Sequence, residues 1–169
     1  MNSHEMATPS AWVERWAPLI TQGTVLDVAC GGGRHAKLFL ARSLNVVALD
    51  REAQVIPGAR FIQADLEGGR PWPLAGERFQ GIVVTNYLHR PLFPSLLHAL
   101  APGGVLIYET FMLGNERFGR PSNPEFLLRP GELREAFAEL TELGFEEGEV
   151  SLPKSAMIQR LCAVRAGRR

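Results

Sequence analysis

The stretch TVLDVACGGGRHAKLFLARSLNVVALD, Thr24 to Asp50, constrains the fold more than any other part of the 169-residue chain. An apolar run (24–29) meets three consecutive glycines. A helix-like segment then runs from Gly33 to Ser43, with Leu38, Phe39 and Ala41 facing inward, and a second apolar run, 45–50, closes on an acid. A buried strand, a turn only small residues make cheaply, a helix and a returning strand satisfy that order. The alternation continues with strand-like runs at 59–65, 79–86 and 105–111, and with a short helix closed by Pro102-Gly103-Gly104. A helix over 130–140 and an antiparallel pair formed by 144–153 and 156–166 finish the chain. Ahead of all this, Ser10 is placed to cap a helix carrying Trp12, Trp16, Leu19 and Ile20. Strands alternating with helices predict an open α/β sheet, mostly parallel, whose ligands bind at the carboxyl ends of its strands. The residues at those ends are polar: the glycine turn, Asp50, Asp65, Asn86 and Glu109 to Phe111.

The bulk properties narrow the function. The length suits one domain, 1–169, with 1–9 expected to be flexible and 111–130 read as a substrate-side loop. Net charge is zero and the pI is about 6.9, which argues against a nucleic-acid partner. Cys30 and Cys162 lie far apart without metal-ligand spacing, so neither a disulfide framework nor a metal site is expected. No apolar run reaches the ~20 residues of a membrane helix, and the polar start MNSHEMATPS shows no secretory leader. A cytoplasmic setting is therefore expected.

What the glycine turn holds depends on its neighbours. Arg34 and His35 follow Gly33 where a nucleoside-triphosphate loop needs Lys and then Ser or Thr. Gly31, Gly33 and Ala36 match dinucleotide spacing only loosely. Asp27 is more informative, because a carboxylate inside a buried strand costs several kcal/mol unless it is hydrogen-bonded. It would have to accept backbone N–H groups of the turn or face a ligand ammonium.

LDVACGGGR resembles the first motif of the class I S-adenosylmethionine-dependent methyltransferases, an acid followed by G-x-G-x-G, with Ala29 where that family has its first glycine. The resemblance covers roughly 20–165 and is closest to small members without a cap domain, the tellurite-resistance and UbiE-like groups. It implies a Rossmann-like seven-stranded sheet with helices on both faces and a reversed last strand. It also implies S-adenosyl-L-methionine as cofactor. Asp27 and the turn from Ala29 through Gly31 to Gly33 would cradle the methionine part, with Arg34 near its carboxylate. Asp50, with Arg51 beside it, would take the ribose hydroxyls, Asp65 and Leu66 the adenine, and Asn86 and Tyr87 the neighbourhood of the sulfonium.

Plainer readings stand beside these. Asp50 would also cap a helix over REAQVI, although it lies seventeen residues beyond Gly33, near the ~20 expected of a ribose acid. His89 and Tyr87 are candidate catalytic groups, His89 otherwise bonding a helix start; His35 reads as a surface or carboxylate contact, and Cys30 as a packed small residue. Glu109, Phe111, Arg117 and Arg120 are candidate substrate contacts, the last three on a loop read as a lid whose arginines favour an anionic acceptor and whose Phe118 and Phe126 exclude water. A small-molecule acceptor fits best, with RNA or protein acceptors left open. The rival functions are a small NAD-dependent reductase and a non-catalytic cofactor-binding subunit.

Overall fold

The computed structural model describes residues 8–167; of the expected flexible start, 1–7 lie outside the described residues, as do the last two arginines of the tail. The strands are β1 (Thr24–Val28), β2 (Asn45–Asp50), β3 (Arg60–Gln63), β4 (Phe79–Thr85), β5 (Leu100–Phe111), β6 (Thr141–Val150) and β7 (Ala156–Val164). The helices are α1 (Ala11–Trp16), α2 (Arg34–Ala41), α3 (Phe93–Ala99) and α4 (Glu132–Ala136). One seven-stranded sheet runs in the order β3-β2-β1-β4-β5-β7-β6. β1 to β5 pair in parallel, and β7 runs antiparallel to both β5 and β6. The reversed last strand is therefore present. The chain builds outward from β1 to β3 and then crosses back to β4, so the glycine turn after β1 sits where the winding direction changes.

Each face of the sheet carries its own core, because side chains alternate along a strand. On one face, Trp12, Val13 and Ala17 with Ala36 and Phe39 of α2 cover Val25, Val46, Ala48, Val83 and Ile107. On the other, Leu96 and Ala99 of α3 with Leu133 of α4 cover Leu26, Val28, Leu49, Ile82, Val84 and Leu106. Each fully buried Val, Leu, Ile or Phe among them stabilises the fold by about 1.5–3 kcal/mol. Ser10 caps α1, its Oγ accepting the N–H groups of Trp12 and Val13. Trp12 Nε1 donates to the Leu161 carbonyl and so ties α1 to β7.

Several boundaries differ from the sequence reading. The inward face of α2 is His35, Ala36 and Phe39, whereas Leu38 is half-buried and Ala41 is exposed. β5 begins at Leu100, not at 105, because Leu100 pairs with Phe79 ahead of a register shift, and Pro102-Gly103-Gly104 is absorbed into that irregularity. Gly104 permits it: a Cβ there would lie 2.7 Å from the Ala101 carbonyl oxygen and 2.9 Å from that of Phe79. The helix expected over 130–140 is five residues long, and the chain re-enters the sheet at Thr141. Among the described residues no helix forms over 51–59, so Asp50 caps none. No helix among them is long and apolar enough to cross a membrane.

Candidate functional site

The glycine turn is built from left-handed backbone. Ala29 has φ +54°, Gly31 +52° and Gly33 +85°. The Cys30 N–H donates to the Leu49 carbonyl and the Gly31 N–H to Asp50 Oδ2 at 2.8 Å, so the turn is clamped to the end of β2. Gly31 and Gly33 are glycine for different reasons. A Cβ on Gly33 would lie 2.7 Å from Ile56 Cδ1, whereas one on Gly31 or Gly32 would meet nothing within 4 Å. Space a side chain would fill therefore opens over Gly31 and Gly32, beside the Asp50 carboxylate. Ala29 bears the strain of a left-handed residue with a Cβ, about 1–2 kcal/mol. Glycine there would relieve it at a chain-entropy cost of about 0.5–1 kcal/mol. Ala29→Gly is expected to raise stability by up to about 1 kcal/mol, read from urea unfolding midpoints.

Asp27 is buried beneath this turn. Its Oδ2 accepts the N–H of Ala36 at 3.0 Å, in the first turn of α2, and not an N–H of the glycine run. Burial drives its carboxyl up to about 7, against the Ala36 hydrogen bond and the Arg34 charge, which lower it. Arg34 itself reaches back to the Thr8 carbonyl. His35 is no surface contact. It is buried, its Nε2 accepts the Ser10 N–H at 3.0 Å, and Nδ1 lies 3.5 Å from Thr85 Oγ1. Burial, with the Arg34 charge, pushes its imidazole down to about 3, so it stays neutral and acts as a post under α1. Glu109 joins the same post: Oε1 accepts from Ser10 Oγ and Oε2 from Arg160 Nε. Both of its oxygens thus accept hydrogen bonds from the protein. Cys30 is buried, and burial with the nearby Asp27 and Asp50 charges pushes its thiol up to about 12.

The ends of β3 and β4 bring the remaining candidates together. Asn86 is exposed, in left-handed backbone at φ +54°, and its N–H donates to the Glu109 carbonyl. The buried Tyr108 hydroxyl donates to the Tyr87 carbonyl, which fixes the chain as it leaves β4. Tyr87 is half-buried; burial and then the charges of Glu67 and Asp65 push its phenol up to about 12. Leu66 and Tyr87 both pack on the same core face. Asp65 Oδ1 accepts the Glu67 N–H at 3.0 Å, and Glu67 Oε1 lies 3.5 Å from His89 Nδ1. Arg51 is exposed beside Glu52. Glu67 had no sequence signal of its own, since only the fold sets it against His89.

The loop after β5 is anchored at both ends. Leu113 donates to the Leu128 carbonyl, and Leu128 to that of Phe111. Buried Asn115 holds the Pro121 carbonyl and the Met157 N–H. Arg90 bonds the Glu125 and Leu127 carbonyls and both carboxylate oxygens of Glu132. Phe111 is half-buried, but Phe118 and Phe126 are exposed and exclude no water in this arrangement. Arg117 stacks over the Phe118 ring and donates to the Gly114 carbonyl, and Arg120 is exposed.

Comparison with known proteins agrees with this architecture. No protein-family model matches the chain. The chain is 34% identical over 103 residues to a trans-aconitate 2-methyltransferase of Paracidovorax citrulli, covering 53% of this chain and 39% of that one. It is 30% identical over 119 residues to the enzyme of that name from Delftia acidovorans, covering 62% and 44%. TehB from Haemophilus influenzae superposes with a TM-score of 0.75 at 16% identity, over 93% of this chain and 62% of that one. The chain has the Rossmann-like fold of class I methyltransferases. The 1,6-didemethyltoxoflavin-N1-methyltransferase of Burkholderia thailandensis, with 1,6-didemethyltoxoflavin and S-adenosylhomocysteine bound, superposes with a TM-score of 0.64 at 22% identity, over 96% and 79%. This methyltransferase-fold chain spans about two fifths of the length of the curated relatives it matches.

Proposed function

We propose that the chain is an S-adenosylmethionine-dependent methyltransferase acting on a small-molecule acceptor. The observation that carries this reading is the open space over Gly31 and Gly32 beside Asp50, at the point where the sheet changes winding direction. The donor set fits the cofactor. It has a diol, an exocyclic amine and an amino-acid zwitterion but no phosphate, and acids line this edge, Asp50 and Asp65, with Asp27 buried beneath the turn. Asp50 would hold the ribose, Asp65 and Leu66 the adenine, and Asn86 and Tyr87 the sulfonium side. Asp27, poised near neutrality by burial, would be held as a carboxylate by a facing ammonium. Bound there, the cofactor supplies an electrophilic methyl group. The protein's part is placement, since holding an acceptor in line removes much of the barrier. Named relatives and neighbours that act on trans-aconitate and on 1,6-didemethyltoxoflavin support a small acceptor.

Calorimetry tests the reading. Wild-type protein should bind S-adenosylhomocysteine and leave NADH unbound; the reverse would favour the reductase. Asp50→Ala should weaken S-adenosylhomocysteine by roughly 10–100-fold, the worth of one charge-assisted hydrogen bond at about 1.5–3 kcal/mol. Unchanged affinity would remove Asp50 from the ribose. Turnover on an acceptor panel then separates an enzyme from a binding subunit.

A further inference from the structure

Tyr87, Asp27 and His89 are proton-bearing groups of the candidate site, and two are already committed. The Tyr87 phenol, pushed up to about 12, stays protonated. Asp27 lies under the turn on the Ala36 N–H. His89 is different. It follows β4 directly, on a short connection held at several points. Its carbonyl accepts the Leu92 N–H, and the next residue, Arg90, is tied to Glu132, Glu125 and Leu127. Its Nδ1 lies 3.5 Å from Glu67 Oε1, with the histidine side chain 23% exposed and the glutamate 43%. Glu67 is itself placed by the Asx turn in which Asp65 Oδ1 takes its N–H.

We infer that Glu67 is a positioning residue that fixes His89 with its proton on Nδ1, leaving Nε2 as the base for an acceptor that must lose a proton on methylation: a hydroxyl, a thiol or a protonated nitrogen, and not a carboxylate. This rests on the methyltransferase reading. A carboxylate beside one imidazole nitrogen selects the tautomer and opposes the charge that develops when the other nitrogen takes a proton. A spacing of 3.5 Å before substrate binds is ordinary for such pairs, which tighten in the complex. The balance is simple. The proton leaves the acceptor heteroatom for Nε2, the electron pair it frees forms the new bond to carbon, and the sulfonium donor leaves as a neutral thioether. A carboxylate acceptor, already ionised at neutral pH, would give His89 and Glu67 nothing to do.

The tautomer is the deciding readout and needs no identified acceptor. In the protein labelled with ¹⁵N-histidine, His89, assigned by loss of its signals in His89→Gln, should show a protonated Nδ1 and an unprotonated Nε2. Glu67→Leu should move the proton to Nε2, as in free histidine. Glu67→Gln should keep it on Nδ1, because an amide oxygen still accepts, but lacks the charge. Wild-type His89 protonated on Nε2, or a tautomer indifferent to Glu67→Leu, would overturn the inference. S-adenosylhomocysteine titration of the same samples separates the two levels: failure of the wild type to bind it defeats the methyltransferase reading, whereas binding with the wrong tautomer defeats only this pairing. Methyl-labelled cofactor in a small-metabolite extract supplies the chemical class. The product should keep its label in mild alkali, and label released as methanol would mark a methyl ester and overturn the proposal. On that product His89→Gln should cost ~10²–10⁴-fold in rate and both Glu67 variants roughly 10–100-fold.

Discussion

Valine at Gly33 should destabilise the protein by about 2–5 kcal/mol, whereas valine at Gly31 should leave it folded and abolish S-adenosylhomocysteine binding. The two positions are two residues apart, and both have positive φ. A β-branched residue in left-handed backbone costs about 1–2 kcal/mol at either. Gly33 adds a collision: its new Cβ would sit 2.7 Å from Ile56 Cδ1 and 2.9 Å from Cγ1, in a buried cluster with Phe39 and Val46. Overpacking of that kind adds about 1–3 kcal/mol, which is a large share of a domain's ~5–15 kcal/mol. At Gly31 the Cβ enters free space, so the fold bears only the backbone term. That same space is where the ligand would approach the main chain, so affinity should fall by more than roughly 100-fold if valine fills it. Urea unfolding and calorimetry on both variants decide the matter. Normal binding by folded Gly31→Val would make the turn purely structural.

The contrast also marks where reading the sequence stops. The strands that reach the ligand edge were legible because apolar runs ending in Asp50, Asp65 and Asn86 leave few ways to bury their faces. The acid in β1 was legible too, because a carboxylate among Val25, Leu26 and Val28 demands a partner. Its partner was not: the N–H it takes is Ala36's, which depends on how α2 swings back over the strand. His35 looked like a residue of an exposed first helical turn. Only the seating of α1 by Ser10 buries it, twenty-five residues away in sequence. β5 ran past a Pro-Gly-Gly stop because Phe79 offered Leu100 a partner, and cross-strand pairing overrode the local signal. The acids that touch ligand in the proposed reading sit at strand ends, where local pattern speaks. Glu67, Glu109 and Glu132 act through tertiary pairings, where it is silent.

The last of those pairings carries the other large effect. Arg90→Ala should destabilise the protein by about 3–5 kcal/mol at pH 7, because it strands a buried carboxylate. Glu132 has a side chain only 6% exposed, held by Arg90 through two nitrogens and by the Arg129 N–H. Burial works to raise its carboxyl, but the Arg90 hydrogen bonds, the Arg129 N–H and the charges of both arginines outweigh it and hold it below the ordinary glutamate range. A carboxyl depressed on folding contributes stability that is complete above its unfolded value near ~4.3 and is lost as pH falls through the folded one. The gap between wild type and Arg90→Ala should therefore be widest at neutral pH and close in acid. Replacing both partners, Arg90→Met with Glu132→Leu, should recover most of the loss, since no buried charge then stands alone. Arg90 also bonds the Glu125 and Leu127 carbonyls, so its loss should expose the 113–127 loop to proteases before the sheet unfolds. An Arg90→Ala protein with a wild-type unfolding midpoint and a protease-resistant loop would show that Asn115 and the Phe111–Leu128 pairing hold this segment unaided, and that the arginine clamp is ornamental to the fold.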